Sequence, residues 1–119
     1  MALISFSLTT KEFLSGRKTV TRRRWKPRHL EMWQRLWDTR QLEHDAWDKS
    51  PRFGGKKIGR FRLTCRPYLE RLADMPKSDL VAEGGMVETL GEFILLIGGA
   101  PQEIVAVVRL EKLEELDDT

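Results

Sequence analysis

A chain of 119 residues and 13.9 kDa, 40% hydrophobic and 33% charged, has the size of one compact domain and is too apolar to stay disordered. Its apolar runs, such as 93–97, fall far short of the roughly 20 residues that cross a bilayer, and no secretory signal is visible at the start, so no membrane partner is expected. Cys65 stands alone, which excludes a disulfide within the chain and makes a cytoplasmic home the expectation.

The net charge of +3 is unevenly spread. Residues 1–30 and 49–77 each sum to +7, whereas 31–48 sum to −3 and 78–102 and 103–119 to −4 each. Two basic segments split by an acidic one form a positive face if folding joins them, and a solvated arginine-rich surface if it does not.

In chain order, residues 3–8 suit a strand, and Thr9 caps a short helix carrying Phe13 and Leu14 that Gly16 stops. Residues 19–24 predict a second strand ended by Pro27. Leu30, Trp33, Leu36 and Trp37 recur at helical spacing, which predicts a helix over 28–40. The breakers of 48–57 read as a loop, and 58–65 as a strand with Phe61, Leu63 and Cys65 on its apolar face. A short helix runs from Pro76 to Gly84, and Val87, Leu90, Ile94 and Ile97 mark another before Gly98. Residues 103–113 enclose a buried strand, and the acidic tail, about 111–119, is expected to fray. The sum is an α+β domain with four or five strands and four helical pieces, compatible with a small β-barrel carrying helices on its connections.

The candidate chemistry narrows by spacing. His29, His44 and Cys65 fall into no metal-ligating pattern, and no phosphate-cradling glycine motif occurs, so no metal or other cofactor is expected, with a metal held by carboxylates alone left open by spacing. Gly54-Gly55-Lys56-Lys57 reads either as a backbone anion cradle or as a plain turn. Cys65 is placed in the core. Gly16-Arg17-Lys18-Thr19-Val20-Thr21-Arg22-Arg23 is the most unusual stretch, and by itself describes a basic edge strand.

That stretch resembles the signature of the ASCH domain family, a PUA-like β-barrel superfamily in which Gly-x-Lys-x-x-Glu-x-Arg opens the second strand. Gly16, Lys18 and Arg23 match it, and Thr21 stands where many members carry Glu. Threonine there is similar to the branch of small bacterial ASCH proteins that hydrolyse N4-acetylcytidine to cytidine and acetate. A second likeness covers Pro67-Tyr68-Leu69-Glu70-Arg71-Leu72 and Asp79-Leu80-Val81-Ala82-Glu83-Gly84-Gly85, where a short helix ends in Glu-Gly and presents its acid to the cavity. A Trp-rich helical insertion at about 25–47 departs from the smallest members.

The resemblance implies a single PUA-like domain over 1–119 and Lys18, Thr21 and Glu83 as a catalytic group for amide hydrolysis without a metal. Two assignments stay open: Lys18 as the base that activates the Thr21 hydroxyl, or Glu83 as the base with Lys18 as an oxyanion partner. Ideal strand geometry points Lys18 and Thr21 to opposite faces, so Lys18 is expected in the Gly16 turn or beside a bulge. As the alternative, the superfamily implies an RNA-binding module with ribonuclease activity, acting on single-stranded RNA. Arg22, Arg23, Trp25, Lys56, Lys57 and Tyr68 are the candidates for holding a nucleoside or RNA.

Overall fold

The computed structural model describes residues 2–114. Among the described residues six strands and four α-helices follow in the order β1 (Leu3–Ser5), α1 (Thr10–Leu14), β2 (Val20–Arg23), α2 (Pro27–Asp38), β3 (Glu43–Trp47), β4 (Lys57–Leu63), β5 (Tyr68–Arg71), α3 (Asp79–Ala82), α4 (Leu90–Leu96) and β6 (Ile104–Leu113). The strands form one mixed sheet in the order β1-β3-β4-β6-β2, with β5 also on β6. The β1–β3 pair is parallel and the other pairs are antiparallel.

The α+β class agrees with the sequence, but the sheet does not close into a barrel through hydrogen-bonded pairing. Its path ends at β1 and β2, and the seam between them is spanned by a side chain, Arg23 Nη2 donating to the Ser5 carbonyl at 2.6 Å. The long strand β6 is the hub. It pairs with β5 over 104–107, with β2 over 106–109 and with β4 over 110–113.

Two apolar layers cover the two faces of the sheet. Ile4, Phe6, Phe13, Trp33, Phe61, Leu63, Val108 and Leu110 pack under α1 and α2. Leu72, Met75, Leu80, Phe93, Ile94 and Val105 pack under α3 and α4. Alternation along β6 sends Val105 to one layer and Val108 to the other. The helix α2 belongs to the first layer through Trp33, which is fully buried against Phe61 and His44.

Several boundaries move. Pro27 opens α2 instead of ending β2, because its fixed φ and missing N–H suit a first helical position. Residues 25–47 are not only helical, since β3 lies inside the sheet between β1 and β4. Cys65 falls beyond β4 and is half-buried, with its thiol pushed up by that burial. Residues 111–113 complete β6, while 115–119 of the expected tail lie outside the described residues. Among the described residues no helix is long and apolar enough to cross a membrane.

Candidate functional site

The chain enters the site through two glycine turns. Gly16 (φ 78°) ends the α1 connection, after which Lys18 N–H bonds the Glu12 carbonyl at 3.0 Å and Thr19 N–H bonds the Ala82 carbonyl at 2.9 Å. Lys18 therefore precedes the first residue of β2, and the strand's alternation does not bind it. On the other side, Glu83 caps α3, and Gly84 (φ 136°) turns the chain away in a conformation that residues with a side chain rarely adopt.

These turns bring Lys18 and Glu83 into contact. Lys18 Nζ donates to the Glu83 carbonyl at 2.6 Å and to Glu83 Oε1 at 3.1 Å, with both residues buried. Thr21 is buried beside them, its Oγ1 accepting from Arg23 Nε at 2.9 Å. No hydrogen bond joins the Thr21 hydroxyl to Lys18 or Glu83 among the described residues. All three line one cavity of about 160 Å³ at the β1–β2 seam, together with Arg23, Phe6 and Phe93.

Register explains how two faces of the sheet meet there. Val107 of β6 lies opposite both Arg22 of β2 and Tyr68 of β5, so Arg22, Tyr68, Glu70 and Arg109 share the α3/α4 face. Thr21 and Arg23 point to the other face, and the cavity sits at the strand edge between the two.

Behind the cavity lies a buried ionic network. Arg22 donates Nη1 to Glu83 Oε2 at 3.0 Å, Nη2 to Asp79 Oδ2 at 2.6 Å, and both Nε and Nη2 to Glu70 Oε1 at 3.1 and 2.7 Å. Arg109 forks onto Asp79 at 3.1 and 2.7 Å and donates Nε to the Tyr68 hydroxyl at 3.1 Å. Both oxygens of Glu83 are thus held, one by Lys18 and one by Arg22.

The charges respond to these neighbours. Burial pulls the Lys18 ammonium below its usual value; Glu83 opposes that fall and Arg23 adds to it. Burial also lowers Arg23, against the pull of Glu83. For Arg22, burial is outweighed by hydrogen bonds to Asp79, Glu70 and Glu83, and its charge is held more firmly than usual. Burial raises Asp79, but the bonds from Arg109 and Arg22 hold it below the ordinary carboxylate value.

Of the remaining sequence candidates, Arg22 also lines the first cavity, with its guanidinium committed to three carboxylates. Trp25 is stacked on His29 and Trp33, and with Tyr68, Leu30 and Pro67 lines a second cavity of about 430 Å³ between α2 and β5. Lys56 and Lys57 line neither cavity; Lys57 Nζ pairs with Asp45 at 3.1 Å. The residue before them, Gly55, follows a single 3-10 turn at Pro51–Phe53, as the turn reading of this loop had it. Among the described residues no group of three or more His, Cys, Asp or Glu is placed to hold a metal ion.

Sequence reasoning passed over Glu70, Asp79 and Arg109 as site residues. Arg109 carried a signal, a lone cation following the apolar run 104–108. No protein-family model, curated protein or solved structure matches the chain significantly.

Proposed function

We propose that the chain is an amidohydrolase of the ASCH type, with a PUA-like architecture, acting without a metal on N4-acetylcytidine or a related acylated nucleoside. The observation that carries this reading is the convergence of Lys18, Thr21 and Glu83 on one cavity, with the Lys18 ammonium destabilised by burial. Because both Glu83 oxygens are already engaged, Glu83 orients Lys18, and the neutral Lys18 amine is the base. Lys18 takes the Thr21 hydroxyl proton as Oγ1 attacks the amide carbonyl carbon, and Arg23, already on Oγ1, favours the anionic oxygen. The tetrahedral intermediate expels the amine, which receives that proton from Lys18 and leaves an acyl ester on Thr21. Water, deprotonated by Lys18, then cleaves the ester; Lys18 returns that proton to Thr21 Oγ1, and the acid leaves as its carboxylate with its own proton going to solvent.

Turnover of N4-acetylcytidine by the purified protein in the presence of a chelator tests this. We expect kcat/KM to rise with pH through a midpoint below the ordinary lysine value of 10.5, as the neutral amine accumulates. Lys18→Ala, Thr21→Ala and Glu83→Ala should each lower kcat by about 100-fold or more, the scale of a lost base or nucleophile. No turnover of any N4-acylated cytosine derivative removes the reading.

A second reading, single-stranded RNA binding, draws on the other cavity. Trp25 and Tyr68 offer aromatic surface there, and exposed Lys26, Arg28 and Arg66 flank it in sequence.

A further inference from the structure

We propose that the cavity at the β1–β2 seam is a binding site for a short aliphatic carboxylate, its head on Arg23 and Lys18 and its chain against α4. With Lys18 in its ammonium form, the state that precedes its action as a base, four cations, Lys18, Arg22, Arg23 and Arg109, stand around the cavity and the network behind it against three carboxylates, Glu70, Asp79 and Glu83.

Every carboxylate is taken by a cation other than Arg23. Lys18 and Arg22 share Glu83, Arg22 and Arg109 share Asp79, and Arg22 holds Glu70. Arg23 makes its hydrogen bonds to neutral oxygens, Thr21 Oγ1 and the Ser5 carbonyl, and its guanidinium carbon lies 5.6 Å from the centre of the Phe6 ring. Among the described residues it forms no ion pair. A further carboxylate, Glu12, acts on Lys18 more weakly than Arg23 does.

An arginine in a low-dielectric setting cannot shed its proton, so the surplus positive charge calls for an anion. The rest of the cavity wall selects which anion. Met86, Phe93 and Ile97 give it an apolar side, and Phe6 closes the floor beneath Arg23. That lining suits a monoanion with an alkyl chain, and it disfavours a strongly hydrated phosphate. A planar carboxylate also matches the fork of a guanidinium.

This ligand goes beyond the hydrolase reading and does not rest on it. If both hold, the ligand is the acid product, and the enzyme is inhibited by carboxylates competing with substrate.

Calorimetric titration of the whole protein at pH 7 and constant ionic strength, with sodium acetate, sodium butyrate, inorganic phosphate and sodium chloride, tests it. We expect saturable binding of both carboxylates at one site per chain, with butyrate about tenfold tighter, the ratio for burying two more methylenes. Arg23→Gln should abolish both. Ile97→Ala should keep acetate binding and reduce the butyrate advantage to about threefold or less. Should Arg23→Gln fail to fold by circular dichroism, Arg23→Lys, which keeps the charge and loses the fork, should bind both carboxylates at least fivefold more weakly.

Absence of saturable binding, equal binding of phosphate or chloride, or unchanged binding in the Arg23 variants overturns the proposal. Failure of the hydrolase reading is separate, appearing as a protein that binds carboxylates and turns nothing over.

Discussion

Arg22 is the residue on which the site's geometry depends. Its side chain is completely buried and meets Glu70, Asp79 and Glu83 at once, so it fixes β2, β5 and the end of α3 relative to one another. A buried ion network of this kind contributes modest net stability when intact, yet losing one member leaves the others uncompensated. Asp79 is the member shared by Arg22 and Arg109, and Asp79→Asn should destabilise the fold by about 3 kcal/mol at pH 7. Its folded pKa is held below the ordinary 3.8 despite burial, so Asp79 contributes stability above that value and loses it as pH falls through the lower folded value. Denaturant melts of wild type and Asp79→Asn should therefore diverge fully at pH 7 and converge below pH 3.8; a difference independent of pH would show that the charge of Asp79 is not what stabilises. The sequence singled out Lys18, Thr21 and Glu83 through a motif likeness. Glu70 and Asp79 lie inside the second likeness but were not singled out by it, because a buried acid and an exposed one look alike until their cations are placed.

Among the elements, β5 shows why hydrophobic periodicity had a blind side. Its inward groups are polar, Tyr68 and Glu70 meeting Arg109 and Arg22, while Leu69 is 59% exposed, so the usual alternation is inverted. The strand β3 was hidden for a different reason: in Glu-His-Asp-Ala-Trp the buried positions are His44 and Ala46, neither a strong strand former. By contrast α2 was legible because four apolar side chains repeat on one stripe, and Trp33 anchors that stripe in the core. The short helix α4 was legible too, and it builds the apolar wall of the cavity with Phe93. Its start is fixed by Thr89, whose Oγ1 accepts from Glu92 N–H at 3.1 Å and donates to Glu92 Oε1 at 2.9 Å. Thr89→Ala should cost about 1 kcal/mol in thermal or denaturant unfolding. Serine at the same position should restore most of it, and an alanine variant as stable as wild type would mean that packing alone holds α4 in place.

At the scale of the whole molecule, the two basic segments are less free than their sums of +7 suggest. In the second one, Lys57, Arg62, Arg66 and Arg71 each pair with a carboxylate, Asp45, Glu111, Asp38 and Asp74. Three of these four carboxylates come from the acidic stretches, which thus fold back onto the basic segment as charge runs along a sequence cannot reveal, while Asp74 lies within that segment itself. The pairs of Arg62, Arg66 and Arg71 are exposed and individually weak, so an incoming phosphate can displace them, at the expense of the pair, whereas Asp45 is half-buried. Lys56 and Lys57 separate the two functional readings, because neither lines the cavity that holds Lys18, Thr21 and Glu83. Replacing both by alanine should leave nucleoside turnover within about twofold of wild type. If single-stranded RNA binds this surface, the same change should weaken it and make the salt dependence shallower by between about 0.7 and 1.4 in log–log slope. The lower bound corresponds to Lys56 alone, with Lys57 staying on Asp45; the upper one requires Lys57 to abandon that carboxylate. Measuring turnover and RNA affinity on both proteins across a salt series checks the separation, and a parallel loss of the two activities would place this loop in the catalytic site and contradict the geometry.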